Sequence, residues 1–391
     1  MNQNGCITKV FNINLDIETL SPKQLIQFAE TESVTDDIFK EYLAVSLLED
    51  ENILSKVCEE TDDIGNSLKS AALEDLNALW NTLSKNILGN YISSMKHKIF
   101  FEEYQSSLKT VVSSSSPSEM LENLIAHYSA FGSGRNAKYI AFRWQGEMTG
   151  IKQPDDITLE HLFCLDDQKE ILIENTSLFL RGLPANNALL YGTSGSGKSA
   201  MIKALLNKYY NQGLRLVEIP KEKLEELPQL VNCIKNKRLK YIIFMDDLSF
   251  ETCDTGYKNL KVILDGRIER QPQNILFYAT SNRFHIINET WKDREGDEIH
   301  LRDTMSEKLS LSERFGIRVN FETTRTSDDY FKIIEGILSL ENIQFTEEIK
   351  QEALRWETLY NGRSGRTAAQ FAKTIIAANL QLYTPLSVKN T

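Results

Sequence analysis

The chain has 391 residues, of which 41% are hydrophobic and 25% are charged, so we expect a globular protein with two or three domains. Residues 1–150 contain 12 Lys and Arg against 21 Asp and Glu, and they account for −9 of the formal net charge of −11. Neither part of the chain has the basic footprint of a strong duplex-DNA binder, although a local strip that binds nucleic acid is left open.

The sequence also predicts the compartment. Residues 1–16 lack the basic and apolar segments of a secretory signal, and no apolar run approaches the roughly 18 residues that a membrane span needs. The five cysteines are scattered and form no CxxC pair, which argues against a disulfide framework or a zinc site. We therefore expect a cytoplasmic protein with reduced thiols and no contact with a membrane.

Residues 1–115 are predicted to form a helical N-terminal interaction domain. Apolar residues recur at intervals of three or four, for example from Ile38 to Leu48 and from Leu76 to Ile87. This pattern is typical of a helical bundle that contacts an unidentified protein partner. A bundle that only scaffolds an oligomer is the alternative.

A serine-rich hinge follows, and residues 116–158 are predicted to form a connecting helix and linker. Ser116 is the predicted N-cap, Pro117 occupies the first turn and Glu119 completes a capping box. The helix is expected to end near Phe131, before a pair of glycines. Beyond it, residues 138–144 are either a short strand or an extended linker.

Residues 159–323 alternate between helix and strand, which predicts a parallel sheet with helices on both faces. Helices are expected over residues 167–182, directly after residue 199, and over residues 222–235 and 257–270. Strands are expected over residues 187–191, 214–219, 241–245, 274–280 and 316–321. The remaining residues, 324–391, are predicted to be helical.

The strand that ends at Tyr191 leads into a glycine-rich loop that matches G-x-x-x-x-G-K-[ST]. Such a loop turns its backbone N–H groups toward phosphate oxygens, while Lys198 reaches the terminal phosphates and the Ser199 hydroxyl ligates Mg²⁺. We therefore predict ATP and Mg²⁺ as cofactors. The predicted phosphate-binding residues are Gly192, Thr193, Ser194, Gly195, Ser196, Gly197, Lys198, Ser199 and Ala200.

Polar residues follow two of the predicted strands. Asp246 and Asp247 end one strand, and Asn282 closes the next strand along the chain. Because the carboxyl ends of parallel strands meet at one edge of a sheet, these side chains are expected beside the loop. Asp246 would hold Mg²⁺, Asp247 would orient and deprotonate the attacking water, and Asn282 would position that water or touch the γ-phosphate. The alternative is that the two carboxylates only cap the next helix.

In order and spacing, these motifs resemble the Walker A, Walker B, sensor 1, arginine-finger and sensor 2 motifs of an AAA+ ATPase over about residues 159–380. The last two correspond to Leu311-Ser312-Glu313-Arg314-Phe315-Gly316 and Gly362-Arg363-Ser364-Gly365-Arg366-Thr367-Ala368. The chain is most similar to a bacterial family of AAA+ proteins without an assigned function, and it shares three phrases with that family. They are Leu183-Pro184-Ala185-Asn186-Asn187, Asp246-Asp247-Leu248-Ser249-Phe250 and Ser364-Gly365-Arg366-Thr367-Ala368-Ala369-Gln370-Phe371. The Asp-Asp pair is also similar to that of bacterial replication initiators and helicase loaders.

The resemblance assigns roles to three arginines. It implies that Arg314 is a finger inserted into a neighbouring subunit's site, and therefore that the protein is a homo-oligomer. It also implies that Arg366, or else Arg363, senses the bound nucleotide from a small helical lid over residues 324–391.

The resemblance also implies where the base binds. Phe163 and Leu165 lie in the segment that contacts adenine. Cys164 stands between them where glycine is usual, and cysteine disfavours positive φ, so the backbone there is open to question. Asp247 stands where many AAA+ proteins have Glu, and its shorter side chain suggests slow hydrolysis.

From these observations we predict a Mg²⁺-dependent AAA+ ATPase that changes the conformation of a partner or remodels it. The alternative is a slow-turnover switch or loader that binds a helicase or single-stranded nucleic acid. Polypeptide threading is disfavoured, because residues 220–223 lack the aromatic residue that threading relatives carry in this loop. The long polar insert with His285 and His300 is expected to be a solvated loop or a partner surface rather than a metal site.

Overall fold

The computed structural model describes residues 9–13, 22–32, 38–83, 102–248, 260–261, 263–264, 271–282, 312–322, 326–360 and 362–379. Contacts divide the chain into two compact units. The first contains Met1–Pro154, Asn211–Val217 and Gln229–Tyr241, and the second contains Asp155–Tyr210, Glu218–Pro228 and Ile242–Thr391. No helix among the described residues is long and apolar enough to cross a membrane.

The described part of the chain before residue 132 is helical, as its apolar spacing predicts. Its helices are α1 (Pro22–Glu32), α2 (Ile38–Leu48), α3 (Ile53–Glu60), α4 (Asn66–Leu83), α5 (Glu102–Val112) and α6 (Pro117–Phe131). Helix α6 packs against α3, α4 and α5, and α2 packs against α5. Leu47, Leu76 and Leu124 are fully buried in this helical core.

The start of α6 is confirmed. The Ser116 side chain accepts from the Glu119 N–H, and Pro117 is the first helical residue. The Glu119 carboxylate, however, accepts from the N–H and the hydroxyl of Ser115, one residue before the predicted position. Gly132 ends the helix with a φ of 81°.

The sheet has seven strands in the order β2-β1-β4-β5-β6-β3-β7 and is mostly parallel. The strands are β1 (Ala141–Trp144), β2 (Met148–Gly150), β3 (Ala188–Tyr191), β4 (Leu214–Glu218), β5 (Lys240–Met245), β6 (Ile275–Ser281) and β7 (Ile317–Asn320). Strand β3 pairs in parallel with β6 and β7. The five predicted strands are confirmed, with ends shifted by at most one residue. Strand β1 settles the open interpretation of residues 138–144, and it forms an antiparallel pair with β2.

Three described helices accompany the sheet: α7 (Asp166–Leu180), α8 (Lys198–Tyr209) and α9 (Leu227–Ile234). The prediction of one continuous helix over residues 222–235 was wrong, because a 3₁₀ helix at Lys221–Glu226 precedes α9. Pro228 accounts for the break, since proline is tolerated in the first turn of a helix but not in its interior. Most of the predicted helix at 257–270 lies outside the described residues.

The C-terminal helices are α10 (Ser327–Leu340), α11 (Glu347–Leu359) and α12 (Gly365–Asn379). The Thr326 side chain caps α10 in a capping box with Asp329. Tyr330, Ile334 and Phe371 are among the buried residues of the core between these helices. Phe163 and Cys164, which precede α7, pack against the same core.

Candidate active site

The glycine-rich loop connects β3 to α8, as predicted. Gly192 and Gly195 have φ angles of 143° and 77°, which L-residues with a side chain rarely adopt. A Cβ atom on Gly192 would lie 2.9 Å from the backbone carbon of Phe321, so there is no room for a larger residue. The chain can therefore turn tightly enough to direct backbone N–H groups inward.

Lys198 is almost fully buried at the first position of α8, with 6% of its surface exposed. Its Nζ donates to the carbonyl oxygens of Gly192 and Thr193 at 2.8 and 2.7 Å, and it lies 3.3 Å from Asn282 Oδ1. Burial lowers the pKa of Lys198, and Arg366 lowers it further, whereas the two aspartates after β5 raise it. The loop therefore holds a poorly hydrated cation where a phosphate can replace carbonyl partners.

The first carboxylate after β5 meets the end of the glycine-rich loop. Ser199 Oγ donates to Asp246 Oδ1 at 2.6 Å. A hydroxyl and a carboxylate are oxygen donors of the kind that Mg²⁺ prefers. The residues at this position thus fit the predicted magnesium site.

The second carboxylate is held in a different way. Asp247 has a φ of 51°, and its Oδ1 accepts from Asn282 Nδ2 at 2.7 Å. Asp is among the residues enriched at positive φ, so the residue type suits the backbone at this position. Asp247 and Asn282, from the ends of β5 and β6, are therefore in direct contact, as the parallel-sheet argument predicts.

The sequence analysis missed Thr280, which lies on β6 between these groups. Its hydroxyl donates to Asp246 Oδ1 at 2.6 Å and accepts from the Asp247 N–H at 2.9 Å. The signal in the sequence is a hydroxyl residue at the end of an otherwise apolar strand, two positions before Asn282. The bonds themselves could not be read from that position.

These groups line a cavity of about 470 Å³ together with apolar side chains. Its polar lining includes residues 194–199 of the glycine-rich loop, both aspartates, Thr280, Asn282 and Arg366, and its apolar lining includes the predicted base contacts Phe163 and Leu165. The apolar residues that sequence analysis did not predict are Ile157, Leu162, Ile333, Ile337 and Ala369. One cavity thus offers charged groups together with aliphatic and aromatic side chains.

Cys164, in the segment before α7, has the backbone conformation of the glycine that it replaces. Cys164 adopts a φ of 58°, the conformation in which glycine is usual. Phe163 packs on α10 where Gly336 leaves space, because a Cβ atom there would lie 2.3 Å from the phenyl ring. The cysteine therefore does not prevent the predicted conformation of this segment.

Helix α12 contacts the glycine-rich loop through its backbone. The Arg366 N–H donates to the Gly195 carbonyl oxygen at 3.1 Å, and a Cβ atom on Gly365 would lie 3.1 Å from the same oxygen. Arg366 lines the cavity. Arg363, the alternative, instead pairs its Nε with Glu357 Oε1 at 2.6 Å.

Arg314 is exposed just before β7, and it is absent from the residues that line the cavity of its own chain among those described. The neighbouring Phe315 is buried and anchors this turn. Leu311, the Ser249-Phe250 pair and the polar insert with His285 and His300 lie outside the described residues. In the described part of the chain, no group of three or more His, Cys, Asp or Glu could hold a metal ion.

Comparison with known proteins identifies the family. A family model described as "Protein of unknown function (DUF815)" matches residues 137–379, which is more than half of the chain. The chain belongs to this family. The predicted resemblance to a family without an assigned function is confirmed by this match, and the predicted α/β sheet with a glycine-rich loop and C-terminal helices is confirmed by the fold. No curated protein matches the chain.

Two solved structures are among those to which the chain is similar. The chain is 14% identical to the RuvB Holliday junction branch migration motor of Thermotoga maritima, with a TM-score of 0.40. That match covers 57% of this chain and 66% of the RuvB chain, just under two thirds. AMPPCP-bound DnaA from Aquifex aeolicus is 17% identical, with a TM-score of 0.40, and the match covers 58% of this chain and 66% of DnaA.

Proposed function

We propose that this protein is a Mg²⁺-dependent ATPase that uses nucleotide binding and hydrolysis to change the conformation of a partner. The observation that carries the proposal is that Lys198, Asp246, Asp247 and Asn282 line the same cavity as several apolar side chains. This arrangement suits a ligand with a flat apolar group and a chain of phosphates.

We place ATP in this cavity with its base near Phe163 and Leu165 and its phosphates along the glycine-rich loop, where Lys198 lies. Lys198 exchanges its loop carbonyl partners for the terminal phosphate oxygens, which are stronger acceptors because they are charged. Ser199 and Asp246 would hold Mg²⁺, which would supply positive charge to the phosphates.

The remaining polar groups act on the attacking water. Asp247 accepts a proton from that water, while Asn282 orients the carboxylate through the bond to its Oδ1. Arg366 extends toward the phosphates from α12 and senses whether they are present. Arg314 acts in a neighbouring subunit, so we propose a homo-oligomer.

The slow-turnover switch or loader is the second candidate, and one observation favours it. Asp247 has a shorter side chain than the Glu that many AAA+ proteins carry at this position, and the Asn282 amide holds it through its Oδ1. A shorter carboxylate held in this way reaches less far toward the water, which would slow hydrolysis without weakening ATP binding. Partners of either candidate include a protein or single-stranded nucleic acid.

The proposal is tested by measuring nucleotide binding and phosphate release with and without Mg²⁺. Lys198→Ala should abolish ATP binding, because it removes the cation that the loop supplies to the phosphates. Asp247→Asn should keep Mg·ATP bound but stop hydrolysis, whereas Asp246→Ala should weaken the Mg²⁺-dependent part of the affinity.

The control is Lys203→Ala, which removes another lysine of α8 that pairs with Asp155 at 3.2 Å. This variant should bind and hydrolyse ATP like the wild type. Undiminished ATP affinity in Lys198→Ala, or equal loss of affinity in both aspartate variants, would contradict the proposal.

A further inference from the structure

Thr280 is nearly fully buried, with 1% of its surface exposed, at the carboxyl end of β6. Its single hydroxyl makes two hydrogen bonds, to Asp246 Oδ1 at 2.6 Å and with the Asp247 N–H at 2.9 Å. Its carbonyl oxygen accepts from the Leu248 N–H at 2.7 Å. Three consecutive residues after β5 are thus attached to one residue of β6.

The direction of the two hydroxyl bonds is fixed by chemistry. A backbone N–H can only donate, so the oxygen of Thr280 must accept from Asp247. The hydroxyl proton is then available to Asp246 Oδ1, the same oxygen that accepts from Ser199. The Asp246 carboxylate is therefore oriented from both sides, by the glycine-rich loop and by β6.

The bonds to Thr280 also set the backbone of Asp247. This residue has a φ of 51°, a region that the chain adopts only where its surroundings hold it. The bonds from the N–H groups of Asp247 and Leu248 to Thr280 fix the peptide units on both sides of that φ angle. The resulting conformation brings the Asp247 carboxylate to Asn282.

We infer that Thr280 is a positioning residue, whose hydroxyl orients Asp246 for the metal and fixes the backbone that presents Asp247 to the attacking water. The inference rests on the proposed ATPase function. It goes beyond that function by assigning the different orientations of the two carboxylates to the hydroxyl of Thr280, which acts through its bonds to Asp246 and Asp247.

A purely structural role for the hydroxyl is the alternative, and a threonine of α7 that bonds to β6 supplies a matched control. Thr176 is also fully buried, and its Oγ1 lies 2.9 Å from the hydroxyl of Tyr278 on β6. It contacts neither aspartate in the described hydrogen bonds. Thr176→Val and Thr280→Val therefore both remove a buried threonine hydroxyl that bonds at β6, but only the second reaches the carboxylates.

The experiment measures kcat, KM, ATP affinity without Mg²⁺ and the Mg²⁺ concentration for half-maximal activity, with thermal melting to check folding. Thr280→Val should lower kcat roughly 10- to 100-fold, the loss expected when a catalytic group is misplaced by about 1 Å. It should also raise the Mg²⁺ requirement while leaving metal-free ATP affinity unchanged. Thr280→Ser keeps the hydroxyl and should restore most of kcat, and Thr176→Val should alter melting without altering kcat.

The inference is overturned if Thr280→Val keeps the wild-type kcat, if Thr280→Ser does not rescue, or if both valine variants lose kcat alike. If Thr280→Val does not fold, Thr280→Ala replaces it in the same comparison, since its smaller side chain cannot clash. A wild-type protein that neither binds nor hydrolyses ATP overturns the proposed function itself, so the two failures are distinguishable.

Discussion

Polar side chains of the helical region before residue 132 and those of the candidate active site differ in their partners and, for the exposed Asp246 and Asp247, in their burial. In the helical region, Asp75 accepts from the N–H groups of Lys9, Val10 and Phe11, and the Tyr128 hydroxyl donates to the Leu47 carbonyl oxygen. These groups find their partners inside a closed core. In the active site, by contrast, Lys198 and the aspartates border an open cavity.

This difference distinguishes polar groups that stabilise the fold from polar groups that are available to bind a ligand. A buried acceptor bonded within the core contributes to the free energy of unfolding, and its loss leaves the donors unsatisfied. Lys198 makes bonds that a phosphate can replace. Substitutions in the helical region should therefore change stability, whereas substitutions at the cavity should change ATP binding or hydrolysis.

The largest expected effect belongs to Arg314, which tests whether the cavity is complete within one chain. A finger supplied in trans increases the rate of phosphoryl transfer by roughly 10³- to 10⁵-fold in other phosphate-loop enzymes. Arg314→Ala should therefore be nearly inactive while it still binds ATP. Mixing it with Lys198→Ala should restore partial activity. In a mixed oligomer, the intact phosphate-binding loop of an Arg314→Ala subunit can receive the intact Arg314 of a Lys198→Ala subunit.

Steady-state phosphate release over a dilution series measures this effect, since wild-type specific activity should fall as the oligomer dissociates. The matched control is Arg318→Ala, an exposed arginine on β7 that should retain activity. Turnover that does not depend on concentration, with no recovery on mixing, would show that Arg314 does not act in trans.

Asp75 tests whether a buried carboxylate of the helical region affects stability and not ATP binding. Its side chain is buried, with 4% of the residue exposed, and it bonds to three backbone N–H groups. Asp75→Ala should lower the free energy of unfolding by about 1.5 to 3 kcal/mol, the range for hydrogen bonds to charged groups. ATP affinity should stay unchanged. Urea unfolding and ATP titration of the same preparations measure both quantities.

The neighbouring residue provides the control for that experiment. Glu74 is 65% exposed and pairs with Lys9 on the surface, so Glu74→Ala should leave stability nearly unchanged. If Asp75→Ala reduced ATP affinity without reducing stability, the distinction between closed and open polar groups would be wrong.

The smallest expected effect is a pH dependence of stability that comes from His127. Burial lowers the pKa of His127 to about 3, whereas an unfolded histidine titrates near 6.5. Between these values the unfolded chain binds more protons than the folded chain. The contribution of His127 to the free energy of unfolding is therefore fully present above about pH 6.5 and decreases as the pH drops toward 3. The loss should reach about 1.4 kcal/mol at pH 5.5.

Urea unfolding between pH 7 and pH 5 measures this loss. His127→Gln keeps a polar group beside Ser107 Oγ, which lies 2.8 Å from His127 Nδ1, but it cannot take up the proton. The variant should therefore lose this part of the slope. An identical slope in the variant and the wild type would place the pH dependence elsewhere.

Much of the fold and the site could be predicted because the sequence patterns that indicate them involve residues close together in the chain. The glycine spacing of the loop and the apolar runs before Asp246 and Asn282 depend on neighbouring residues alone. The missed features depend on distant partners or short segments. Strand β2 has only three residues, and the bonds of Thr280 join segments more than 30 residues apart in the sequence. The helix break before α9 could have been predicted from Pro228, because a proline at this position outweighs the helical periodicity of residues 222–235.

The contact between the Arg366 N–H and the Gly195 carbonyl oxygen has a thermodynamic consequence for any partner of the C-terminal helices. If ATP and a partner both bind more tightly to the conformation in which this contact is made, their binding free energies are coupled, since each stabilises the same arrangement of loop and helix. Such coupling is reciprocal: the factor by which ATP tightens the partner is the factor by which the partner tightens ATP. Nucleotide affinity measured with candidate partners would then identify a partner of these helices before any remodelling activity is known.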